Sequence, residues 1–229
     1  MVVKGEKPDG GGRSRGGRPP QTAQQHEVAR ARILTATRAV FAEHGYYGVT
    51  VSRILKHLGM SRATFYRYFR NADEAVCTVI EAAGDASLVA LHASVGEVEG
   101  SIAKVLAGIE AHLRWSSEQA DIAQSLEAGI HDPQNPVSRM RERVHAEITE
   151  LLVTEANATG RGNPDPLTLN VYITTMEHTS YHMRRTTSGD EAAENNARTI
   201  MIKCALALLG TPEDWKLLEA DPATLGLAE

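Results

Sequence analysis

From His26 onward, apolar residues recur at three- and four-residue spacing. Ile33, Ala36 and Val40 share one helical face with Phe41 beside them, and Gly45 supplies a stop. The pattern predicts a long first helix from His26 to the edge of Gly45. Thr50 is placed to cap a short second helix over 51–58, which Gly59 breaks. Ser61 caps a third helix one residue after Met60, running to Phe69. Asn71 and Glu74 have capping-box spacing for a fourth, with Val76, Val79, Ile80 and Ala83 on one face. Helical segments follow near 98–116, 119–129 and 134–158, separated by His131-Asp132-Pro133 and by the run 160–164. Asp165-Pro166 opens the next helix. Ser188 and Glu191 box the last long one, which Gly210 and Pro212 end. No alternating run is long enough for a strand, so the chain reads as all-α.

Charge divides the same chain. Residues 1–70 hold 13 Lys and Arg against 4 Asp and Glu, a net +9, whereas residues 71–229 carry a net −14. A basic first third on an acidic body fits a head that binds a polyanion. Residues 1–25 mix glycines with Arg13, Arg15 and Arg18 and lack apolar anchors, so they read as a disordered basic arm. The expected organisation is this arm, a helix-turn-helix domain over 26–72, and a larger helical domain over 73–229. Cys77 and Cys204 lie in apolar helical surroundings and read as buried free thiols. With no membrane span and no secretory signal in the sequence, a cytoplasmic location is expected.

Two short helices joined through Gly59-Met60 and packed on a longer one form the helix-turn-helix plan. A helix fits the major groove and presents its N-terminal residues to base edges. In the segment 61–69, Phe65 and Phe69 are four apart and face the core, leaving Arg62, Thr64, Tyr66, Arg67 and Tyr68 for solvent or DNA. The arm run Arg15-Gly16-Gly17-Arg18-Pro19 approaches the form of minor-groove arms, which makes Arg15 and Arg18 candidate DNA contacts.

Over residues 30–80 the chain resembles the TetR family of bacterial regulators. The resemblance rests on Phe41-Ala42-Glu43-His44-Gly45-Tyr46, Thr50-Val51-Ser52-Arg53-Ile54 and the run from Leu58 to Phe69. It implies that Arg62, Ala63, Tyr66 and Arg67 face bases. Thr50, Ser61, Thr64 and Tyr68 would then face phosphates, with Ser52 and Arg53 near the DNA. The chain departs from the family pattern at Ala72, where a phosphate-contacting Lys is usual, and at Leu55 and Leu58, where smaller residues are usual.

In the acidic domain, the segment 165–186 has one face of Leu169, Tyr172, Ile173, Met176, Ser180 and Met183. A second face carries Leu167, Val171, Thr175, His178 and His182. The last long helix likewise has two stripes, one with Ala197, Ile200, Met201 and Leu208, the other with Ile202, Ala205 and Leu206. Helices apolar on two sides have two partners to bury against, which points to a homodimer, as the resemblance also implies. His112, Trp115, Leu126, Ile130, Tyr172, Met176 and Met183 are candidate ligand contacts on middle helices. No phosphate-cradling glycine loop or nucleophile motif is present, so neither catalysis nor a cofactor is expected. The expected function is a transcriptional repressor that binds a partly palindromic operator in double-stranded DNA and is released by a small, largely apolar effector. Two alternatives remain open here: a metal-responsive regulator using His178 and His182, and a helical small-molecule-binding protein without DNA binding.

Overall fold

The computed structural model describes residues 23–129, 132–187 and 190–220, except the side chains of 126–129, 186–187 and 217–220. Arg15, Arg18, Ile130, Ser188 and the Leu126 side chain therefore lie outside the described residues. Among the described residues the chain forms ten α-helices and no strand. They are α1 (Ala23–His44), α2 (Val51–Leu58), α3 (Arg62–Phe65), α4 (Ala72–Gly96) and α5 (Ser101–Glu118). Then come α6 (Ala120–Gly129), α7 (Pro136–Ala158), α8 (Pro166–Thr187), α9 (Glu191–Leu209) and α10 (Pro212–Ala220).

Caps fix the head. The Thr50 hydroxyl accepts from Arg53 N at 3.3 Å and opens α2. Gly59 closes it at φ +61°, a conformation that glycine adopts without strain. Ser61 Oγ then accepts from Thr64 N at 3.1 Å and opens α3. Ile33, Val40, Ile54 and Phe65 are sealed from solvent, with Phe69 and Ala75 completing this core. Leu55 and Leu58, the two residues larger than the family pattern, pack against it.

Several details differ from the sequence expectation, beginning with α1, which starts at Ala23 inside the segment 1–25 expected to be a disordered arm. Regular helix in α3 ends at Phe65 rather than Phe69. Beyond it, Arg67 N and Tyr68 N donate to the carbonyls of Thr64 and Phe65, and this tighter i→i+3 winding brings Phe69 into the core beside Phe65. Asn71 does cap α4, accepting from Glu74 N at 2.8 Å, but the Glu74 carboxylate takes the N–H of Arg70 at 2.6 Å instead of that of Asn71. Asp190 caps α9, accepting from Ala192 N at 3.0 Å. Pro212 opens a further helix rather than only ending α9, because proline suits a first helical position and Asp214 accepts from Thr211 N at 2.8 Å.

Helix α4 is the spine. Its buried face runs from Ala75 through Ile80 to Leu88 and Val95, packed on α1, α5 and α7. It is long and apolar enough to cross a membrane by composition, but that apolar face is spent on these helices. At Gly84 the helices nearly touch: a Cβ there would sit 2.6 Å from Met140 Cγ. Phe41 of α1 and Val76 and Ile80 of α4 share a core with Ile122, Val137 and Met140, which ties head to body. Arg38 of α1 adds a forked ion pair to Asp121 of α6, at 2.7 and 2.5 Å. Cys77 and Cys204 are free thiols, half-buried rather than fully so.

Candidate nucleic-acid interface and internal cavity

Phe65 and Phe69 anchor the third helix from below, so its other residues point outward. Ser61, Arg62, Ala63, Tyr66 and Arg67 are exposed, as are Thr50, Ser52 and Arg53 at the start of α2, while Thr64 and Tyr68 are half-buried. Tyr66 keeps 49% of its surface open, large for an aromatic ring with an apolar core available beside it. The Arg62 guanidinium donates to Ser52 Oγ at 3.0 Å and that of Arg53 to the Gly48 carbonyl at 2.6 Å. Both partners are neutral, and neither arginine pairs with a carboxylate among the described residues. Two full positive charges are thus held in place at the mouths of α2 and α3 by groups that do not neutralise them. Such a surface is suited to phosphates and guanine edges. Tyr68 lies against His26 in a tilted arrangement with ring centroids 4.6 Å apart, and Arg30 lies over the Phe69 ring. Ala72, half-buried at the first position of α4, offers no charge there.

The second feature is a cavity of about 420 Å³ enclosed by α4, α5, α7 and α8 and reaching the α9–α10 turn. Its walls are mainly apolar: Leu91, Val105, Trp115, Met140, Ile148 and Met176 among them. Trp115 spends its indole N–H on the Ala83 carbonyl of α4 at 2.8 Å. Deep in the cavity, Glu177 accepts from Arg141 Nε at 2.8 Å and from His145 Nε2 at 2.7 Å. Burial works against the Glu177 anion, but these two partners outweigh it and hold the carboxyl below its ordinary pKa. His112 Nε2 lies 3.0 Å from Ser180 Oγ, and burial pushes its pKa down, which keeps the ring neutral. The Tyr172 hydroxyl is pushed up to about 12 by burial alone.

Residues 33–74 match the family model of the bacterial regulatory proteins of the tetR family. Over that segment the chain is similar to the TetR family. An HTH-type transcriptional repressor of Mycobacterium tuberculosis is 32% identical over 108 residues, which cover 47% of this chain. The aligned part spans only 56% of that repressor's length. A TetR family transcription regulator from Marinobacter aquaeolei superposes with a TM-score of 0.64 at 20% identity, over 80% of this chain and 98% of that one. The regulator FadR from Bacillus subtilis, solved in complex with stearoyl-CoA, superposes at 0.63 with 16% identity, over 79% and 98%.

Within this fold, the candidate DNA-facing residues Ser52 and Arg62 are in contact across α2 and α3, as are Ser61 and Thr64 within the second of these segments. Of the candidate ligand contacts, His112, Trp115, Tyr172 and Met176 line the cavity. Met183 instead packs against the core of α5, α8 and α9 and is not part of the lining. His178 and His182 stack with centroids 6.3 Å apart on the exposed side of α8, and no third His, Cys, Asp or Glu joins them into a metal-holding group among the described residues. Sequence reasoning missed Arg141 and Glu177 as cavity groups. Arg141 and His145 are four apart on α7, a spacing that puts both on one helix face, but their shared partner lies on α8.

Proposed function

We propose that this chain is a DNA-binding transcriptional repressor that acts as a homodimer on a partly palindromic operator and is released by a small, largely apolar effector. The observation that carries this reading is the outer face of α2 and α3, where Arg53 and Arg62 are oriented by neutral partners beside the exposed Tyr66. The basic first third of the chain supplies long-range attraction to the same polyanion.

The cavity supports the effector half of the reading. Its volume of about 420 Å³ lies within the 300–1,000 Å³ usual for small-molecule sites. A neighbouring fold, the Bacillus subtilis FadR, holds an acyl-CoA. Trp115 and Met140 line the cavity and also touch the middle of α4, whose first turns are built into the head. An occupant that moves either side chain acts on the helix that sets the head's orientation, and a dimer matches two grooves only at one spacing.

For the dimer, the support is the outer face of α8 and α9. Leu167 and Val171 are 70% and 43% exposed, and Ile200 and Leu208 are 41% and 36% exposed, an apolar run that a single copy leaves open. Ile202 and Leu206, on the other stripe of α9, are sealed inside the protomer's own core and do not belong to such a surface.

A gel shift with DNA from upstream of the chain's own gene tests the proposal. A retarded band that is lost with Tyr66→Ala supports it. Tight small-molecule binding without any DNA retardation would favour a helical binding protein instead.

A further inference from the structure

The positive charges lining the cavity are already spoken for. Arg141 and His145 share Glu177, Lys104 Nζ lies 2.6 Å from Glu155, and Arg161 forks onto Asp214 at 2.7 and 2.9 Å. Asp165, at the rim, has no cation partner among the described residues and accepts from Thr168 N and Oγ1 at 2.8 and 3.1 Å. A carboxylate or phosphate entering this space meets no uncommitted positive group. At the buried end, beside Arg141, His145 and Glu177, it must open an ion pair or sit unpaired, and both are costly away from water.

One polar atom is left over. Tyr172 is 7% exposed, lines the cavity, and packs among Ile109, Leu113, Met201 and Ile202. Its hydroxyl has no hydrogen-bond partner among the described residues. Buried hydroxyls are normally paired, so an orphan on a residue that lines a cavity is a candidate place for an occupant to supply the partner. The phenol stays protonated across the physiological range and can donate to a neutral oxygen.

Resting on the effector reading above, we propose that the cavity selects an uncharged, apolar molecule carrying a hydrogen-bonding oxygen, of the ketone, alcohol or ester class, which the Tyr172 hydroxyl recognises. Carboxylates and acyl-CoA esters are disfavoured. A plain hydrocarbon of the same shape binds less well, because it leaves that hydroxyl unsatisfied. Such a mismatch weakens binding by about tenfold or more.

The test uses the full chain, calorimetric titration and a matched panel: hexanophenone, 1-phenylhexan-1-ol, hexylbenzene, 6-phenylhexanoate and lauroyl-CoA. The wild type should bind the ketone or the alcohol at least about tenfold more tightly than hexylbenzene and than either anion. Tyr172→Phe should bring the ketone to within about twofold of hexylbenzene while leaving hexylbenzene affinity unchanged or better. The ligand-free variant should melt at the wild-type temperature or above, since it loses only an unpaired hydroxyl, and this separates lost recognition from lost folding. A preference for the carboxylate or the CoA ester, no binding by any member, or a ketone advantage that survives in Tyr172→Phe would overturn the proposal. Selective ketone binding that leaves DNA affinity unchanged would sink the effector reading and leave the selectivity standing.

Discussion

Replacing Glu177 with Gln isolates the polar cluster on which the neutrality of the cavity depends. The carboxylate is shared by Arg141 at 2.8 Å and His145 at 2.7 Å, and Glu177 and Arg141 each keep only 16% of their side-chain surface in solvent. Gln keeps the shape but leaves the Arg141 charge without its counter-ion. Removing one partner of a fully buried pair costs about 3–5 kcal/mol, and the residual exposure reduces this to about 2–4 kcal/mol. For a chain of this size, each kcal/mol moves the melting temperature by about 2–4 °C, so a drop near 10 °C is expected. Calorimetric melting at pH 7 measures it directly. The pH dependence carries a second signature. The Glu177 pKa lies below its unfolded value, so its stabilisation is present above the ordinary carboxylate range and is lost as pH falls through the folded value. Wild-type and variant melting temperatures should therefore converge as pH falls below the ordinary carboxylate range. The double variant Arg141→Met with Glu177→Leu should recover part of the loss, since it removes both charges and leaves only the His145 ring without its Glu177 partner. An unchanged melting temperature for Glu177→Gln at pH 7 would show that the pair does not form, and the argument against anionic ligands would fall with it.

Further expectations follow from the same structure. Tyr66→Ala should weaken operator binding by at least about tenfold with an unchanged helical circular-dichroism signal, since the ring is largely exposed and supports little packing. Ile200→Glu should yield folded monomers by light scattering, whereas Ile202→Glu, aimed into the protomer's own core, should unfold the chain; dimers of Ile200→Glu would move the interface elsewhere. Gly84→Ala drives a methyl onto Met140 and should cost about 1–3 kcal/mol, read as a lower melting temperature. Deleting residues 1–25 should flatten the slope of log affinity against log salt by about 4–5 units for a dimer, if each arm places two or three arginines on phosphates. Equal slopes would make the arm a solvated tail.

Most of the architecture was legible because its signals are local. Thr50, Ser61, Asn71 and the Pro-opened helices announce their caps within three residues, and the recurring Ile33, Ala36 and Val40 define a buried face without tertiary help. The winding after Phe65 was not legible, because Phe65 and Phe69 four apart fit a continuous helix equally well and both reach the same core. The helix after Pro212 was hidden by reading proline only as a stop. The cavity shows the same division. His112, Trp115, Tyr172 and Met176 stand out as large or amphipathic groups on middle helices, but the Arg141–Glu177–His145 cluster joins residues 32 and 36 positions apart and becomes visible only when α7 and α8 pack together.

The central claim is that one face reads DNA and one cavity controls it. Selection of bound duplexes from a random pool, followed by titration of the recovered site with and without hexanophenone, tests both halves at once. The account predicts an enriched, partly palindromic sequence with half-sites about one helical turn apart. It further predicts loss of binding in Tyr66→Ala and weaker binding of the wild type when the ketone is present. Recovery of no enriched sequence would contradict the DNA-binding assignment, and an operator affinity indifferent to a bound ketone would contradict the control.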